Sequence, residues 1–451
     1  MAIERLAKAF GQDKEIHIER LYLFELCNGK IIRSGRISQP TFEDFIENHE
    51  TEITNLKQFR ECVQQFETSP IFQRHVNNSI GLVDLPKDEI EQYLKRNFIF
   101  PMLAKLLHLV RGFKFNEKDF NKLYDQMESH LISGSVDFLS LIPLKGFRYD
   151  GDEILLEEDL KISPIDSHKL TRLANSGLID INMIGASFPS HAMEMSFAVE
   201  KGIAIDSQVP ILRFQEVMRT LRVFKRGVVL CNHMYCFPLS WEPTKPLSIL
   251  ISQPISNGPQ YTLSRGEESK LTQVYHIIRS LDHKKDRFLE IAIERFDYAI
   301  QRRINEDKLT DCITALEALL LGSEEKSELK YRLSLRLATL LGKTGDQRIA
   351  IKKVFSKAYT QRSKIVHGKM IKGIEIDGKK YSMEDLAFHL ENYTRNALKI
   401  FLSSVVKKIT HEKFLEKLDD AIIDPEIRKR LSENPSTSLM FTYDCDGGKH
   451  E

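Results

Sequence analysis

The pattern of apolar and polar positions divides the chain into a mixed first part and a helical last part. Residues 16–27 are rich in apolar and β-favouring side chains, Asn28-Gly29 follows, and a second apolar run starts at Ile31. Asn-Gly between two such runs predicts a β-hairpin. Apolar residues at the helical period then predict helices at residues 41–66, 87–110 (kinked or split at Pro101) and 116–132.

A second pattern begins after Ser133-Gly134, where short apolar stretches alternate with Gly, Pro and Asp. This alternation predicts a sheet of open strand order and one helix at residues 210–224. From Ser269 to about Asp420 the pattern predicts long helices, interrupted by a loop or hairpin at residues 373–381. From Ile422 the chain is polar, and we expect a frayed end. The predicted strands are residues 136–143, 154–156, 181–186, 192–199, 227–231 and 247–252.

These elements predict an α+β multidomain protein: a mixed α/β N-terminal region with a β-rich middle, followed by an all-α helical bundle. At 451 residues, more than one domain is expected. We assign a hairpin and helices to residues 1–132, a β-rich region to 133–265, a helical bundle to 266–410, and a C-terminal helix with a polar tail to 411–451. The first two parts together form the expected sensor or regulatory region.

Composition narrows the class of protein. Hydrophobic residues make up 42% of the chain and charged residues 29%, while the net charge is only +1. This balance argues against a chain that coats nucleic acid by bulk charge; any such contact would use local basic patches. The charged start does not resemble a secretory signal, and the most apolar helix-like run, residues 98–110, is too short to cross a bilayer. Six scattered cysteines are typical of free thiols, so we expect a cytoplasmic protein with no membrane partner.

One segment carries recognisable chemistry. Residues 359–368 read Tyr-Thr-Gln-Arg-Ser-Lys-Ile-Val-His-Gly, with four residues between Arg362 and His367 and a helix stop at Gly368. An arginine grips phosphate oxygens and a histidine moves protons near neutral pH, so the pair is suited to cutting a phosphodiester. A five-residue step separates two side chains widely on an ideal helix, so His367 must lie where the helix is ending. Alternatively, Arg362 forms a salt bridge and His367 is favoured at a helix C-terminus by the helix dipole.

The surroundings of this motif carry a family resemblance. Residues 286–300 (DRFLEIAIERFDYAI), 311–321 (DCITALEALLL) and 331–342 (YRLSLRLATLLG) precede it in order. Together with the Arg362/His367 segment, they resemble the HEPN superfamily, particularly its ApeA-like branch, over about residues 284–407. The resemblance implies a helical-bundle endoribonuclease that uses no metal and no cofactor. It also implies a symmetric homodimer or larger oligomer whose active site is shared between two chains.

The same resemblance implies RNA, including tRNA, as the substrate, with 2′,3′-cyclic phosphate and 5′-hydroxyl ends as products. Its implied setting is prokaryotic anti-phage defence, in which a toxin-like nuclease arrests the host by abortive infection. An unknown trigger or inhibitor would then act on residues 1–265. The alternative from a different class is a non-catalytic HEPN module for dimerisation or protein binding, in which Arg362 and His367 are structural.

Further residues support the predicted site. Ser363 stands where the family often has Asn, Asp or His, and it can hydrogen-bond a phosphate, with Lys364 beside it. Glu317 lies inside an apolar helical run, and a buried carboxylate needs a partner. It either orients Arg362 for phosphate or forms a structural ion pair with Arg336 that fixes the bundle, and we favour the second interpretation.

Two other motifs do not indicate a site. Gly342-Lys343-Thr344-Gly345 looks like the end of a phosphate-binding loop, but Leu337 stands where the first glycine should be, so we interpret it as a turn between helices. Cys231, His233 and Cys236 are not followed by a second pair at zinc-site spacing. We expect no metal there, and two of the three side chains should face a core along a strand.

Overall fold

The structure is a computed structural model that describes residues 2–13, 18–27, 30–40, 42–78, 86–110, 112–176, 188–200, 208–239, 241, 246–251, 258–322, 325, 327–368 and 374–433. The chain forms two compact units from interleaved stretches. The first comprises Met1–Lys145, Glu157–Pro210 and Cys231–Ile251, and the second comprises Gly146–Leu156, Ile211–Leu230 and Ser252–Glu451. The four-part division made from the sequence stays a prediction.

The first unit begins with helix α1 (Ala2–Asp13), which the apolar pattern does not predict. Strands β1 (Ile18–Cys27) and β2 (Lys30–Pro40) then pair antiparallel, so the predicted hairpin is confirmed. The helical stretch at 41–66 is confirmed as three shorter helices. The following helices are α2 (Phe42–Asn48), α3 (Glu50–Thr54), α4 (Lys57–Thr68), α5 (Pro70–Asn78), α6 (Lys87–Leu94), α7 (Phe100–Val110) and α8 (Glu117–Ile132).

The split predicted near Pro101 is confirmed. Lys95–Ile99 forms one π-helical turn between α6 and α7, and Pro101 is the second residue of α7. Proline has no N–H to donate to the preceding turn, and a π-turn is one way for a helix to absorb that loss. Helix α8 begins where the Asn116 side chain accepts a hydrogen bond from the N–H of Asp119, 3.2 Å away. These helices share one core, which includes Phe45, Phe59, Phe98, Leu107, Met127 and Trp241.

A six-stranded sheet lies in the middle of the chain. Its strands are β3 (Ser135–Pro143), β5 (Ile154–Glu157), β6 (Leu160–Pro164), β7 (His191–Glu200), β8 (His233–Pro238) and β9 (Leu247–Leu250), with helix α9 (Ser167–Asn175) after β6. The strand order is β5-β6-β7-β3-β8-β9, and the central strand β3 pairs antiparallel with β7 and with β8. The predicted strand at 227–231 is wrong: Val228 makes a single bridge to Gln260, and the strand itself starts at His233. Residues 181–186 lie outside the described residues.

The second unit is mainly helical. Its short strands β4 (Phe147–Tyr149) and β10 (Tyr261–Leu263) pair in parallel, and β11 (Ile374–Ile376) and β12 (Lys379–Tyr381) form the hairpin expected at 373–381. The helix expected at 210–224 is confirmed as α10 (Gln208–Phe224). The remaining helices are α11 (Glu268–Arg279), α12 (Arg287–Gln301), α13 (Asn305–Leu320), α14 (Leu329–Leu341), α15 (Gly345–Val366), α16 (Met383–Val406), α17 (His411–Ile423) and α18 (Pro425–Glu433).

The expectation of a frayed end from Ile422 is wrong for its first part. Helix α17 continues to Ile423, and α18 follows at once, while residues 434–451 lie outside the described residues. Asp424 links the two helices, because its carboxylate accepts hydrogen bonds from the first N–H groups of α18. Among the helices that the structure describes, none has the length and apolar content to cross a membrane.

Candidate functional site

The motif helix α15 is fixed at both ends by local chemistry. At its start, the Thr344 side chain accepts from the N–H of Gln347, whose side-chain oxygen accepts from the N–H of Thr344 in return. The stretch 342–345 is therefore a turn between α14 and α15, as predicted. At its end, His367 is the C-cap residue, and Gly368 follows with φ +69°. The predicted stop at Gly368 is confirmed, because this left-handed conformation favours glycine.

Arg362 lies on the half of α15 that faces α13. Its Nη2 is 3.4 Å from Oε2 of Glu317, and the two side chains are 29% and 20% exposed. Its guanidinium carbon lies 5.9 Å from the centre of the Tyr359 ring, one helical turn earlier. The buried Nε of Arg362 has no hydrogen-bond partner among the described residues. Arg362 is therefore held by one long ion pair and keeps an unused donor.

Tyr359 completes a small polar group with Glu317 and Arg362. Its hydroxyl donates a hydrogen bond to the Glu317 carboxylate; burial, the carboxylate charge and this hydrogen bond together raise the pKa of Tyr359. The Glu317 carboxylate thus accepts from a phenol and a guanidinium at the same time. The sequence reading did not single out Tyr359, although its position three residues before Arg362 was a signal that the two side chains share one helix face.

His367 lies on another side of the same helix end. Five residues correspond to about 140° of helical rotation between Arg362 and His367. The helix ends only after Val366, so the two side chains diverge: Arg362 is partly buried against α13, and His367 is exposed. Ser363 and Lys364 are exposed as well. Within the described residues, the structure shows no contact between the Arg362 and His367 side chains.

Arg336 has a different set of partners from those expected. Its guanidinium donates to both carboxylate oxygens of Glu325 at 2.7 Å and to both of Asp419 at 2.7 and 2.6 Å. A fifth hydrogen bond of 2.7 Å goes to the carbonyl of Leu320. The favoured pairing of Glu317 with Arg336 is therefore wrong, because both carboxylates that hold Arg336 come from elsewhere in the bundle. Glu317 contacts Arg362 instead.

Gln361 is a residue of this helix that the sequence reading missed. Its side chain is only 7% exposed, and its Oε1 is buried with no hydrogen-bond partner among the described residues. Buried amide oxygens are usually satisfied, and the following residue, Arg362, also has a buried Nε without a described partner, so this turn of α15 is incompletely hydrogen-bonded. A glutamine beside an arginine in the sequence gives no indication that its side chain is buried without a hydrogen-bond partner.

The cysteine–histidine group on β8 is a core feature. Cys231 and Cys236 are buried, so the expectation that two of the three side chains face a core is confirmed. Burial raises the pKa of the Cys231 thiol to about 12 and that of Cys236 to about 11, which keeps both thiols protonated. The His233 Nδ1 lies 3.1 Å from the Ser248 hydroxyl. In the described part of the chain, no three His, Cys, Asp or Glu residues are grouped as a metal site.

The motif turn of α15 thus combines an under-bonded arginine, a carboxylate–phenol pair and an exposed histidine within one stretch of the second unit. Such an arrangement can bind an anion through Arg362 and exchange protons with solvent through His367. Compared with protein-family models, with curated proteins and with solved structures, the chain gives no match.

Proposed function

We propose that the protein is a metal-independent endoribonuclease of the HEPN type that cuts RNA, including tRNA, through Arg362 and His367. The observation that carries this proposal is the state of Arg362, which has one 3.4 Å ion pair and a buried Nε without a described partner. An arginine with unused donors is suited to a phosphate ligand, and the exposed His367 lies at the end of the same helix. The resemblance to HEPN ribonucleases supplies the reaction type.

In the proposed reaction the ribose 2′-hydroxyl attacks the adjacent phosphorus and the bond to the 5′-oxygen breaks. One group must accept the proton of the 2′-hydroxyl, and another must donate a proton to the leaving 5′-oxygen. The products are a 2′,3′-cyclic phosphate and a 5′-hydroxyl. Arg362 would stabilise the charge that develops on the phosphate oxygens, and Ser363 and Lys364 would assist in binding them.

A shared site follows from the number of groups and from their geometry. One histidine performs one proton transfer at a time, and Arg362 and His367 of the same chain diverge by about 140° around the helix. Two copies with their α15 helices face to face would place two arginines and two histidines in one cleft. We propose a symmetric homodimer as the active form, acting in prokaryotic anti-phage defence by abortive infection, with a trigger acting on residues 1–265.

The experiment incubates the purified chain with labelled total RNA in the presence of EDTA. His367→Ala and Arg362→Ala should each lower the cleavage rate by about 10²-fold or more, because each removes a group needed in the transition state. The matched control is His276→Ala, because the His276 side chain is exposed and lies on α11, far from the motif helix in the chain. Cleavage at the normal rate by either motif variant, or strict dependence on magnesium, would show that the catalytic assignment is wrong.

A second candidate function is a non-catalytic dimerisation or protein-binding module. The observation that favours it is the Glu317 carboxylate, which accepts from both Tyr359 and Arg362 and so gives the arginine a structural role within the chain. Under this alternative, the wild-type protein cuts no RNA. Arg362→Ala then weakens self-association of the chain instead of RNA cleavage. Analytical ultracentrifugation of wild-type and Arg362→Ala protein, run beside the RNA assay, separates the two functions.

A further inference from the structure

The helical part of the first unit contains an apolar pocket of about 210 Å³. Its walls come from helices α3, α4, α7 and α8, with α1 at one side. Phe59, Phe98, Met102 and Met127 are buried members of the surrounding core, so the pocket is continuous with that core rather than a shallow surface depression. Unfilled apolar space of this size costs stability, because the lining atoms lose dispersion contacts that a filled core would have.

The lining determines which ligands the pocket accepts. None of its described lining residues carries a formal charge at neutral pH, and the polar side chains among them are Gln58, Cys62 and Tyr124. Burial raises the pKa of the Cys62 thiol, which keeps this side chain neutral as well. A charged group would lose its hydration here without gaining a partner. The ligand, or the part of it that enters, must therefore be uncharged and apolar.

An exposed row of aromatic rings leads to the pocket. Phe120 and Tyr124 line it and stack with ring centres 6.2 Å apart, and Phe115 continues the row 5.6 Å from Phe120. Phe115 is 62% exposed and Tyr124 is 41% exposed. Exposing neighbouring aromatic rings to water is unfavourable, and such apolar patches mark interaction sites. The two methionines in the wall are unbranched and adapt to different shapes. An apolar cavity of about 150 Å³ can hold benzene, so this pocket has room for a larger ring system or a medium-length alkyl chain.

We propose that this pocket is a binding site for the hydrocarbon part of a neutral ligand, either a free small molecule or the acyl chain of a lipid. The site belongs to the first unit alone and is independent of RNA cleavage. Through this site the first unit would recognise a hydrophobic compound rather than a nucleotide, an anion or a metal ion.

The test uses the full chain and the neutral fluorescent probe 1-aminoanthracene. Wild-type protein should bind one probe per chain, with a fluorescence increase and a dissociation constant of roughly 1–100 μM. Leu103→Trp fills the pocket with an indole and should weaken binding by about tenfold or more. Leu109→Trp is the matched control, since Leu109 lies on the same helix, is 52% exposed and is not part of the lining. Absent or non-saturable binding, or equal affinity in Leu103→Trp, overturns the proposal.

Cysteine protection provides a second measurement that does not depend on the folding of a variant. In wild-type protein, saturating probe should slow alkylation of Cys62 by N-ethylmaleimide about fivefold or more, followed by peptide mass spectrometry, because a bound ligand covers the thiol. The buried Cys231 and Cys312 are internal references whose rates should not change. An unchanged Cys62 rate at saturating probe would place the probe elsewhere and overturn the proposal.

Two competing compounds distinguish the possible sources of the hydrocarbon group. Displacement of the probe by 1-octanol, without sedimentation on dioleoylphosphatidylcholine vesicles, assigns the site to free small molecules. Sedimentation with these vesicles that is lost in Leu103→Trp and kept in Leu109→Trp assigns it to lipid acyl chains. If neither compound acts on the wild-type protein, the pocket is not a hydrocarbon site.

Discussion

Two arginines of the same helical bundle differ in almost every structural respect. Arg336 is 3% exposed and makes five hydrogen bonds of 2.6–2.7 Å to Glu325, Asp419 and the Leu320 carbonyl. Arg362 is 29% exposed, makes one ion pair of 3.4 Å and has an Nε without a described partner. A guanidinium has five N–H donors, so Arg336 is saturated and Arg362 is not.

The number of unused guanidinium donors distinguishes an arginine that holds the bundle together from one that can bind a ligand. Burial and sequence position distinguish them less clearly. A saturated arginine between two carboxylates joins α14 to α17 and to the chain before α14, and it has no donor left for a ligand. An unsaturated arginine of the same bundle can exchange a weak internal partner for a phosphate at little cost, because a 3.4 Å contact contributes little. We therefore expect the same substitution to cost much stability at Arg336 and little at Arg362.

The largest expected effect is on stability at Arg336. Arg336→Met leaves Asp419 without its cation and Glu325 with Arg332 alone, and it should lower the free energy of unfolding by about 3–5 kcal/mol. Arg362→Met should lower it by about 1 kcal/mol or less, since it removes one partly exposed pair. Urea denaturation followed by circular dichroism measures both.

The control for this comparison is Arg332→Met. Arg332 also binds Glu325, at 2.7 Å, but its side chain is 43% exposed. We expect a loss of about 1 kcal/mol or less, as for other exposed ion pairs. If Arg336→Met is as stable as this control, the five hydrogen bonds do not fix the bundle. Arg336 and Arg362 would then contribute about equally to the free energy of unfolding.

The second effect is the loss of stability in acid that originates at Glu325. Hydrogen bonds from Arg336 lower the pKa of Glu325 from 4.5 to about 2. A carboxylate whose pKa is lower in the folded state contributes stability that is fully present above pH 4.5 and is lost as the pH falls towards 2. Allowing for partial exposure, this contribution is about 2 kcal/mol.

Thermal unfolding between pH 6 and pH 2.5 measures this dependence. The wild-type melting temperature should fall more steeply below pH 4.5 than that of Arg336→Met, in which the pKa of Glu325 is no longer held down by the guanidinium. Carboxylates other than Glu325 and Asp419 act equally in both proteins, so the difference between the two curves isolates the cluster around Arg336. Parallel curves would mean that the Arg336–Glu325 bond is not formed in solution.

The sequence predicts local features of this bundle well and long-range partners poorly. The stop at Gly368, the turn at 342–345 and the hairpin at 373–381 follow from the preferences of single residues and neighbours, and all three are confirmed. The partner of Arg336 lies 83 residues away, at Asp419, in the C-terminal helix, which the sequence predicts without indicating its partners. Helical periodicity predicts that Arg336 and Glu317 face the interior of the bundle. It does not determine which of several carboxylates pairs with Arg336.

The strand order shows the same limit. Alternating apolar residues mark β3, β7 and β9, whereas the pairing of β3 between β7 and β8 depends on contacts between segments that no local pattern specifies. The strand predicted at 227–231 does not form, and Gly227 explains why. Its φ is +153°, and an added Cβ would come within 2.5 Å of Tyr261 Cα, so this glycine serves a close backbone approach rather than a strand.

The smallest expected effect tests whether the unused donors of Arg362 act across two chains. Arg362→Ala chains are mixed in about fourfold excess with wild-type chains, and subunit exchange is allowed to reach equilibrium. In a symmetric dimer with a shared cleft, roughly one fifth of wild-type chains then keep a wild-type partner, so RNA cleavage per wild-type chain should fall roughly fivefold. His276→Ala chains at the same excess are the control and should not reduce it, because His276 is exposed on α11 and not part of the motif helix. Exchange is verified by energy transfer between labelled chains. Cleavage that stays proportional to the wild-type chains present, despite verified exchange, would show that each chain works alone; Arg362 would then have to meet its phosphate within one subunit, although His367 diverges from it around the helix.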